Sequence, residues 1–140
     1  MQKSPRASTG QVYTERLVTS DILIEVAPRL VPESTDADKP VFVFAYRIRI
    51  TNQSSGSVQL LNRYWLITDG MGRKEEVRGP GVIGQQPKLA PGESFEYESF
   101  CPLPTSTGTM RGQYEFVGQN GAHFEVEIPE FFLADPRSFH

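Results

Sequence analysis

The sequence predicts an all-β domain that folds as a two-sheet β-sandwich of the fibronectin type III or immunoglobulin-like kind, with about seven strands. Runs of alternating apolar and polar residues recur roughly every 12–15 residues and are separated by turn-forming residues. None of the longer stretches keeps the helical period without an interrupting Gly or Pro. The single tryptophan, Trp65, lies in the third run, as expected for a ring packed between two sheets. A closed barrel is the alternative architecture.

The chain is organised as one domain with a polar segment at each end. Its 140 residues match the length of a single domain. Residues 1–16 are polar and are interrupted by Pro5 and Gly10, which predicts a flexible N-terminal arm. The sandwich is predicted over residues 17–134, and residues 135–140 are a short C-terminal tail.

The strands are predicted from the apolar runs in chain order. The predicted ranges are 22–27, 41–52, 58–69, 73–78, 94–100, 110–118 and 122–128. The second range has the strongest pattern, because every second residue from Phe42 to Ile50 is apolar and the opposite face becomes polar. In the third range, strict alternation places Leu61, Trp65 and Ile67 on one face and Leu60 on the other.

Two strands carry features of sheet edges. The fourth range, RKEEVR, is short and charged, which protects an edge against further pairing. The first range carries Ile22, Leu23 and Ile24 with only Glu25 as a charge. We therefore expect the first strand to be the less protected edge and the site where a partner strand or a second copy of the chain pairs.

Composition and charge exclude several classes of protein. Lys and Arg number 14 against 17 Asp and Glu, a net charge of -3, which argues against a nonspecific nucleic-acid binder. No stretch approaches the ~20 apolar residues of a membrane span, and the first residues lack the apolar segment of a secretory signal. We therefore expect a cytoplasmic protein with neither nucleic acid nor membrane as partner. Cys101 is the only cysteine, so the chain has no internal disulfide and no cysteine-based zinc site.

Several blocks of sequence together resemble one family. They are YRIRITN (46–52), VQLLNRYWLITD (58–69), EEVRGPGVIGQQPKLAPGESFEYES (75–99), GTMRGQYEF (108–116) and FEVEIPEFFL (124–133). In this order and spacing, over residues 12 to 134, they resemble the ApaG family of small bacterial proteins. The resemblance implies a fibronectin type III-like sandwich. It does not imply a particular activity.

The same resemblance implies a biological setting. Members of the family are associated with resistance to divalent cations such as cobalt and magnesium, and often neighbour a diadenosine tetraphosphate hydrolase gene. Eukaryotic versions lie in an F-box protein and in a DNA polymerase delta-interacting protein, where the domain looks like a partner-binding module. The expected function is therefore non-catalytic binding of an unidentified protein, with an indirect link to cation homeostasis.

The sharpest local motif is the GxGxxG of residues 79–84. In a dinucleotide-binding fold such glycines open a helix, whereas here Pro80 lacks an N–H group and Pro87 prevents a helix. Successive glycine N–H groups can still form a small anion-binding nest. The predicted residues of such a site are Arg78, Gly79, Gly81, Gly84 and Lys88. A weak site for pyrophosphate or a dinucleotide polyphosphate is the alternative function, and a plain turn is the competing interpretation.

Metal binding and catalysis are poorly supported by the sequence. His123 has Glu125 two residues on, and Glu33, Asp36 and Asp38 share a loop, but neither set has the ligand number or spacing of a metal site. Cys101 has apolar neighbours, which predicts a buried, unreactive thiol, and a pair with His123 is a minor alternative. We expect no metal, no cofactor and no catalytic residues, and an enzyme acting on nucleotides is the last-ranked hypothesis.

Two other clusters leave alternatives open. Arg47, Arg49 and Arg63 either form a phosphate-binding patch or pair with Glu96, Glu98 and Glu115 on neighbouring strands. The run Phe131 to Leu133 either closes the core or forms an exposed patch for a partner.

Overall fold

The computed structural model of the chain describes residues 12–32 and 41–135, which form two antiparallel sheets. The nine strands of this part are β1 (Glu15–Thr19), β2 (Ile22–Leu30), β3 (Phe42–Asn52), β4 (Val58–Asp69), β5 (Lys74–Pro80), β6 (Lys88–Leu89), β7 (Ser94–Leu103), β8 (Thr107–Gly118) and β9 (His123–Ala134). Sheet one has the order β1-β2-β3-β7, and sheet two has the order β5-β4-β8-β9 with β6 beside β4. The predicted two-sheet sandwich is confirmed. The described part of the chain contains no helix of the length and apolarity needed to cross a bilayer.

The core lies between the two sheets and is built around three aromatic rings. Trp65 of β4 meets Tyr46 of β3 edge to face, with the ring centroids 5.4 Å apart, and meets Phe131 of β9 at 5.9 Å. All three side chains are buried. This confirms the placement of Trp65 between the sheets and the inward face of β3.

A bulge in β4 corrects the predicted faces of that strand. The register with β8 shifts between Leu60 and Asn62, so Leu61 is an extra residue. Leu60 and Trp65 therefore both point into the core although they are an odd number of residues apart, and Leu60 is fully buried. The prediction that Leu61 shares the face of Trp65, with Leu60 opposite, is wrong for this reason.

A second register shift, between β8 and β9, determines which of Phe131 and Phe132 is buried. Met110 pairs with Phe131 while Gly112 pairs with Ile128, so β9 has one residue more than β8 at this point. The alternation on β9 changes phase there, which buries Phe131 and leaves Phe132 exposed. Core closure is confirmed for Phe131 and Leu133, and Phe132 is the exposed residue of the run.

The first predicted strand is not a sheet edge. β1 pairs with it on one side and β3 on the other, so Ile22, Leu23 and Ile24 lie inside sheet one and are buried. Their predicted placement at an exposed interaction edge is wrong, because β1 occupies the edge. Residues 15 and 16, which the prediction put in the N-terminal arm, belong to β1.

Parts of three other predicted segments lie outside the described residues. They are residues 1–11 of the arm, the loop 33–40 with Glu33, Asp36 and Asp38, and residues 136–140 of the tail.

The two sides of the sandwich differ. On one side β9 packs against β1 and β2, which brings the two sheets together. On the other side the sheet edges are β5 and β7, and in the described residues no comparable packing joins them. The sandwich is therefore closed along β9 and open between β5 and β7.

Candidate functional site

The open side of the sandwich holds a cleft of about 380 Å³ between β5 and β7. This volume is within the range of small ligand and peptide-side-chain pockets. Side chains of both sheets line it, among them Tyr46, Trp65, Val77, Tyr97 and Met110. We call this space the cleft. Most of its lining residues are aromatic or aliphatic, and Arg63, Glu75, Ser99 and the tyrosine hydroxyls give it substantial polar surface as well.

One end of the cleft carries the guanidinium of Arg63. Its Nη1 atom donates to the carbonyl oxygens of Pro80 at 2.9 Å and Gly81 at 3.1 Å. The guanidinium lies against Gly79 on the paired strand, where an added Cβ would be 3.0 Å from both Nη atoms. Glycine at this position lets the cation lie across β5.

Tyrosine hydroxyls lie near the same end. The hydroxyls of Tyr97 and Tyr114 are 2.5 Å apart in the core, and Tyr46 hydrogen-bonds with Ser99. Burial raises the pKa of all three tyrosines, and the positive charge of Arg63 opposes the rise. These groups are therefore neutral at physiological pH.

The opposite end of the cleft carries Glu75 and Cys101. The thiol is buried, and burial together with the charge of Glu75 raises the pKa of Cys101 to about 11. A thiol with this pKa is protonated at neutral pH. The predicted burial of Cys101 is confirmed.

Comparison with known proteins identifies the family. The ApaG domain family model matches residues 32–118. The chain belongs to the ApaG family. It is 58% identical over 120 residues to Protein ApaG of Bordetella pertussis, covering 86% of this chain and 92% of that protein. It is 56% identical over 110 residues to Protein ApaG of Bdellovibrio bacteriovorus, covering 79% and 87%.

Solved structures share the ApaG fold. A crystal structure of a Bordetella pertussis protein matches with a TM-score of 0.81 and 59% identity, covering 84% of this chain and 95% of that one. The C-terminal domain of wzt, at 9% identity and a TM-score of 0.52, shares the fold alone. The ApaG family is not a recognised enzyme family, and the relatives' names state no activity.

The GxGxxG of this ApaG chain is the tip of a β-hairpin. Val82 and Gln85 exchange two backbone hydrogen bonds, of 2.8 and 2.9 Å, around Ile83 and Gly84, which both have positive φ. The N–H group of Gly81 donates to the carbonyl of Leu61 at 2.8 Å. The N–H group of Gly81 is thus used by β4, and those of Val82 and Gln85 are used within the turn, a geometry that favours the plain-turn interpretation.

The other residues of the predicted anion site do not converge. The guanidinium of Arg78 stacks 4.4 Å above the ring of Tyr64 and lies 3.7 Å from Glu76, on the outer face of sheet two. Arg78 and Gly79 line a depression there that also contains the carboxylates of Glu115 and Glu125, and Arg63 borders both this depression and the cleft. Lys88 lies on β6 and does not line this depression.

The predicted three-arginine patch is divided between the sheets. On sheet one, Arg49 pairs with Glu25 at 2.8 Å and with Glu96 at 3.7 Å, and Arg47 also reaches Glu96 at 3.7 Å. Arg63 belongs to sheet two. The ion-pairing alternative is confirmed for Arg47 and Arg49.

His123 and Cys101 lie in different sheets and form no pair. The Nδ1 atom of His123 is 2.8 Å from Glu115, whose pKa is lowered by this hydrogen bond and by one from Asn62. In residues 12–32 and 41–135, no group of three or more His, Cys, Asp or Glu side chains is arranged to hold a metal ion.

The cleft itself was not predicted, although the sequence holds a signal for it. Arg63 is two residues before Trp65, and Glu75 is two residues before Val77. Each charge therefore shares a strand face with a core residue. A charged side chain on a core-facing position is uncommon and marks either a buried ion pair or an opening in the core.

Proposed function

We propose that this ApaG-family chain is a non-catalytic binding module that takes up an extended segment of a partner protein in the cleft. One observation carries the proposal: among the described strands the sandwich is open between β5 and β7, where the edge of β7 borders a cleft lined by aromatic and polar side chains. An edge strand offers unpaired N–H and C=O groups, so an added strand gains main-chain hydrogen bonds. Alternate side chains of that strand would enter the cleft.

Of the two edges that border the cleft, β7 is the better template. β5 carries Lys74, Glu75, Glu76 and Arg78 within seven residues, a charge density that opposes pairing. The glutamates of β7 are already engaged, since Glu96 pairs with Arg47 and Arg49, and Glu98 lies 3.6 Å from Arg29. Phe100, on the rim of the cleft, is 56% exposed and offers apolar surface to a partner.

The chemistry of the cleft supports binding rather than catalysis. A nucleophile needs a base within hydrogen-bond reach, and Cys101 is a buried thiol beside a carboxylate that raises its pKa further. The ring of His123 lies on the outer face of sheet two with Glu115. The link to divalent cation homeostasis that the family resemblance implies is then indirect and acts through the partner.

A display selection with the full chain tests this proposal. We expect random linear peptides of about ten residues, longer than a typical strand, to yield binders. Phe100→Glu should abolish their binding. Phe132→Glu is the matched control, because Phe132 is 70% exposed and lies on β9, away from the cleft. It should leave binding unchanged.

Two results would overturn the proposal: no enriched peptide, or peptides that bind Phe100→Glu as well as the wild type. A parallel NMR titration with pyrophosphate examines the alternative function. Amide shifts confined to residues 79–85, with no enriched peptide, would favour an anion binder at the hairpin tip.

A further inference from the structure

We infer that the cleft selects an extended segment with a basic, an apolar and an acidic side chain at every second position, the acidic one binding at Arg63 and the basic one at Glu75. This inference rests on the proposed function and adds the chemistry of the partner. Both charges line the cleft. Within the described residues neither forms a salt bridge, whereas several charges on the outer faces of the two sheets are paired.

The spacing of the two charges follows from the strand register. Arg63 is opposite Gly79, Trp65 is opposite Val77, and Ile67 is opposite Glu75. The two charges therefore lie four residues apart along the β4–β5 pair, about 13 Å at ~3.3 Å per residue. In a bound strand, residues i, i+2 and i+4 line one face and span the same distance. The middle side chain would then lie near Trp65.

The wall of the cleft formed by β7 faces the positive charge at one end and the negative charge at the other. The charge of Arg63 acts on the hydroxyl of Tyr97, and the charge of Glu75 acts on the thiol of Cys101. Tyr97 and Cys101 are four residues apart on β7 and both line the cleft. The positive end of the cleft is therefore at Tyr97, and the negative end is at Cys101.

Arg63 keeps hydrogen-bond donors for a ligand. Its bonds to Pro80 and Gly81 both come from Nη1, and in the described part of the chain Nε and Nη2 donate to no protein acceptor. Two donors on one guanidinium match the two oxygens of a carboxylate. An acidic side chain is therefore the group that this end of the cleft fits.

The polarity also sets the direction of the bound segment. All strand pairs of the described sheets are antiparallel, and antiparallel pairing is the more stable arrangement. A segment antiparallel to β7 begins at the Cys101 end and finishes at the Tyr97 end. Its basic residue comes first, its apolar residue second and its acidic residue last.

Two acetylated and amidated peptides test this order, Thr-Lys-Thr-Val-Thr-Glu-Thr and its charge-exchanged form Thr-Glu-Thr-Val-Thr-Lys-Thr. Their dissociation constants for the full chain are measured by NMR titration. We expect the first to bind about fivefold more tightly, the effect of exchanging two solvent-accessible ion pairs. The double variant Arg63→Glu, Glu75→Lys should reverse the preference. If that variant does not fold, Arg63→Gln and Glu75→Gln should each reduce it.

Equal affinity for the two peptides, a preference that charge reversal leaves unchanged, or no shift of any cleft amide at millimolar peptide would overturn the inference. The display selection distinguishes failure of the charge order from failure of the proposed function. Selected peptides that bind at the cleft without this charge order overturn the inference and leave the proposed function standing. A selection without cleft binders overturns both.

Discussion

The hydroxyl of Tyr13 donates to Oε2 of Glu96 at 3.0 Å, and the guanidinium of Arg49 lies 4.8 Å from the centre of its ring. This contact joins the chain just before β1 to β7, the far edge of sheet one. Beneath it Arg16, Glu25, Arg49 and Glu96 lie side by side on four neighbouring strands. Charges of alternating sign thus cross the outer face of the whole sheet, which stabilises the edge that borders the cleft.

The first prediction concerns the pKa of Tyr13 and its effect on stability. Burial, the hydrogen bond to Glu96 and the charge of that carboxylate raise the pKa of Tyr13 to about 12. Since the unfolded value is about 10, the unfolded state loses this proton first as the pH rises. The stabilisation from Tyr13 is therefore complete below about pH 10 and is lost as the pH rises through about 12.

Urea unfolding of the wild type and Tyr13→Phe at about pH 9 and about pH 11.5 measures this effect. We expect the wild type to be the more stable protein at the lower pH and the difference to shrink at the higher pH. A difference that does not depend on pH, or a Tyr13 ring that titrates near pH 10 by NMR, would contradict it.

The second prediction concerns the core ring. Trp65 is 3% exposed and contacts the rings of Tyr46 and Phe131. Trp65→Ala should lower the free energy of unfolding by about 3–5 kcal/mol, because it leaves a large cavity between the sheets. Trp65→Phe should lower it less. Denaturant unfolding followed by circular dichroism measures both, and a loss below about 1 kcal/mol for the alanine variant would show that the ring is not packed as described.

The third prediction compares two glycines. A Cβ on Gly112 would overlap the carbonyl oxygen of Tyr64, which is main chain and cannot move away. A Cβ on Gly79 would meet only the guanidinium of Arg63, a flexible group. Gly112→Ala should therefore cost about 3 kcal/mol or more, and Gly79→Ala about 1 kcal/mol or less. Equal losses in thermal or urea unfolding would contradict the close approach of β8 to β4.

The fourth prediction concerns the thiol. With the pKa of Cys101 at about 11, the thiolate at pH 8 is about 100-fold scarcer than for a thiol with the ordinary pKa of 9.0. Native protein should therefore react with iodoacetamide at least that much more slowly than urea-unfolded protein, and Glu75→Gln should speed the native reaction. Labelling of the native protein at the rate of an exposed cysteine would rule out the buried position.

Alternation located the long strands and the core ring, because a half-buried strand has a period of two that can be read directly. It failed where the pairing adds a residue. The bulge at Leu61 brings Leu60 into the core, and the shift before Phe131 turns Phe132 outward. Such shifts depend on the neighbouring strand, so a single run of sequence does not show them.

The edge and the cleft could not be predicted because both depend on strand order. Leu23 is buried because β1 covers the edge of β2. This strand has only five residues and follows a polar segment, so the sequence pattern did not reveal it. The cleft brings Arg63 and Glu75 of sheet two opposite Tyr97 of sheet one, residues far apart in the chain. Only the positions of Arg63 and Glu75 beside core residues of their own strands were visible in the sequence.

The measurement that tests the central claim most directly is amide hydrogen exchange along β7, Ser94–Leu103, with and without a selected peptide. If a partner segment adds to the free edge of this strand, the β7 amides that point away from β3 become hydrogen-bonded. We expect exchange of these alternate amides to slow by at least about tenfold at saturation, while the strands of the closed side, β1 and β9, keep their rates. A peptide that binds tightly and leaves the β7 amides unchanged would contradict strand addition at this edge.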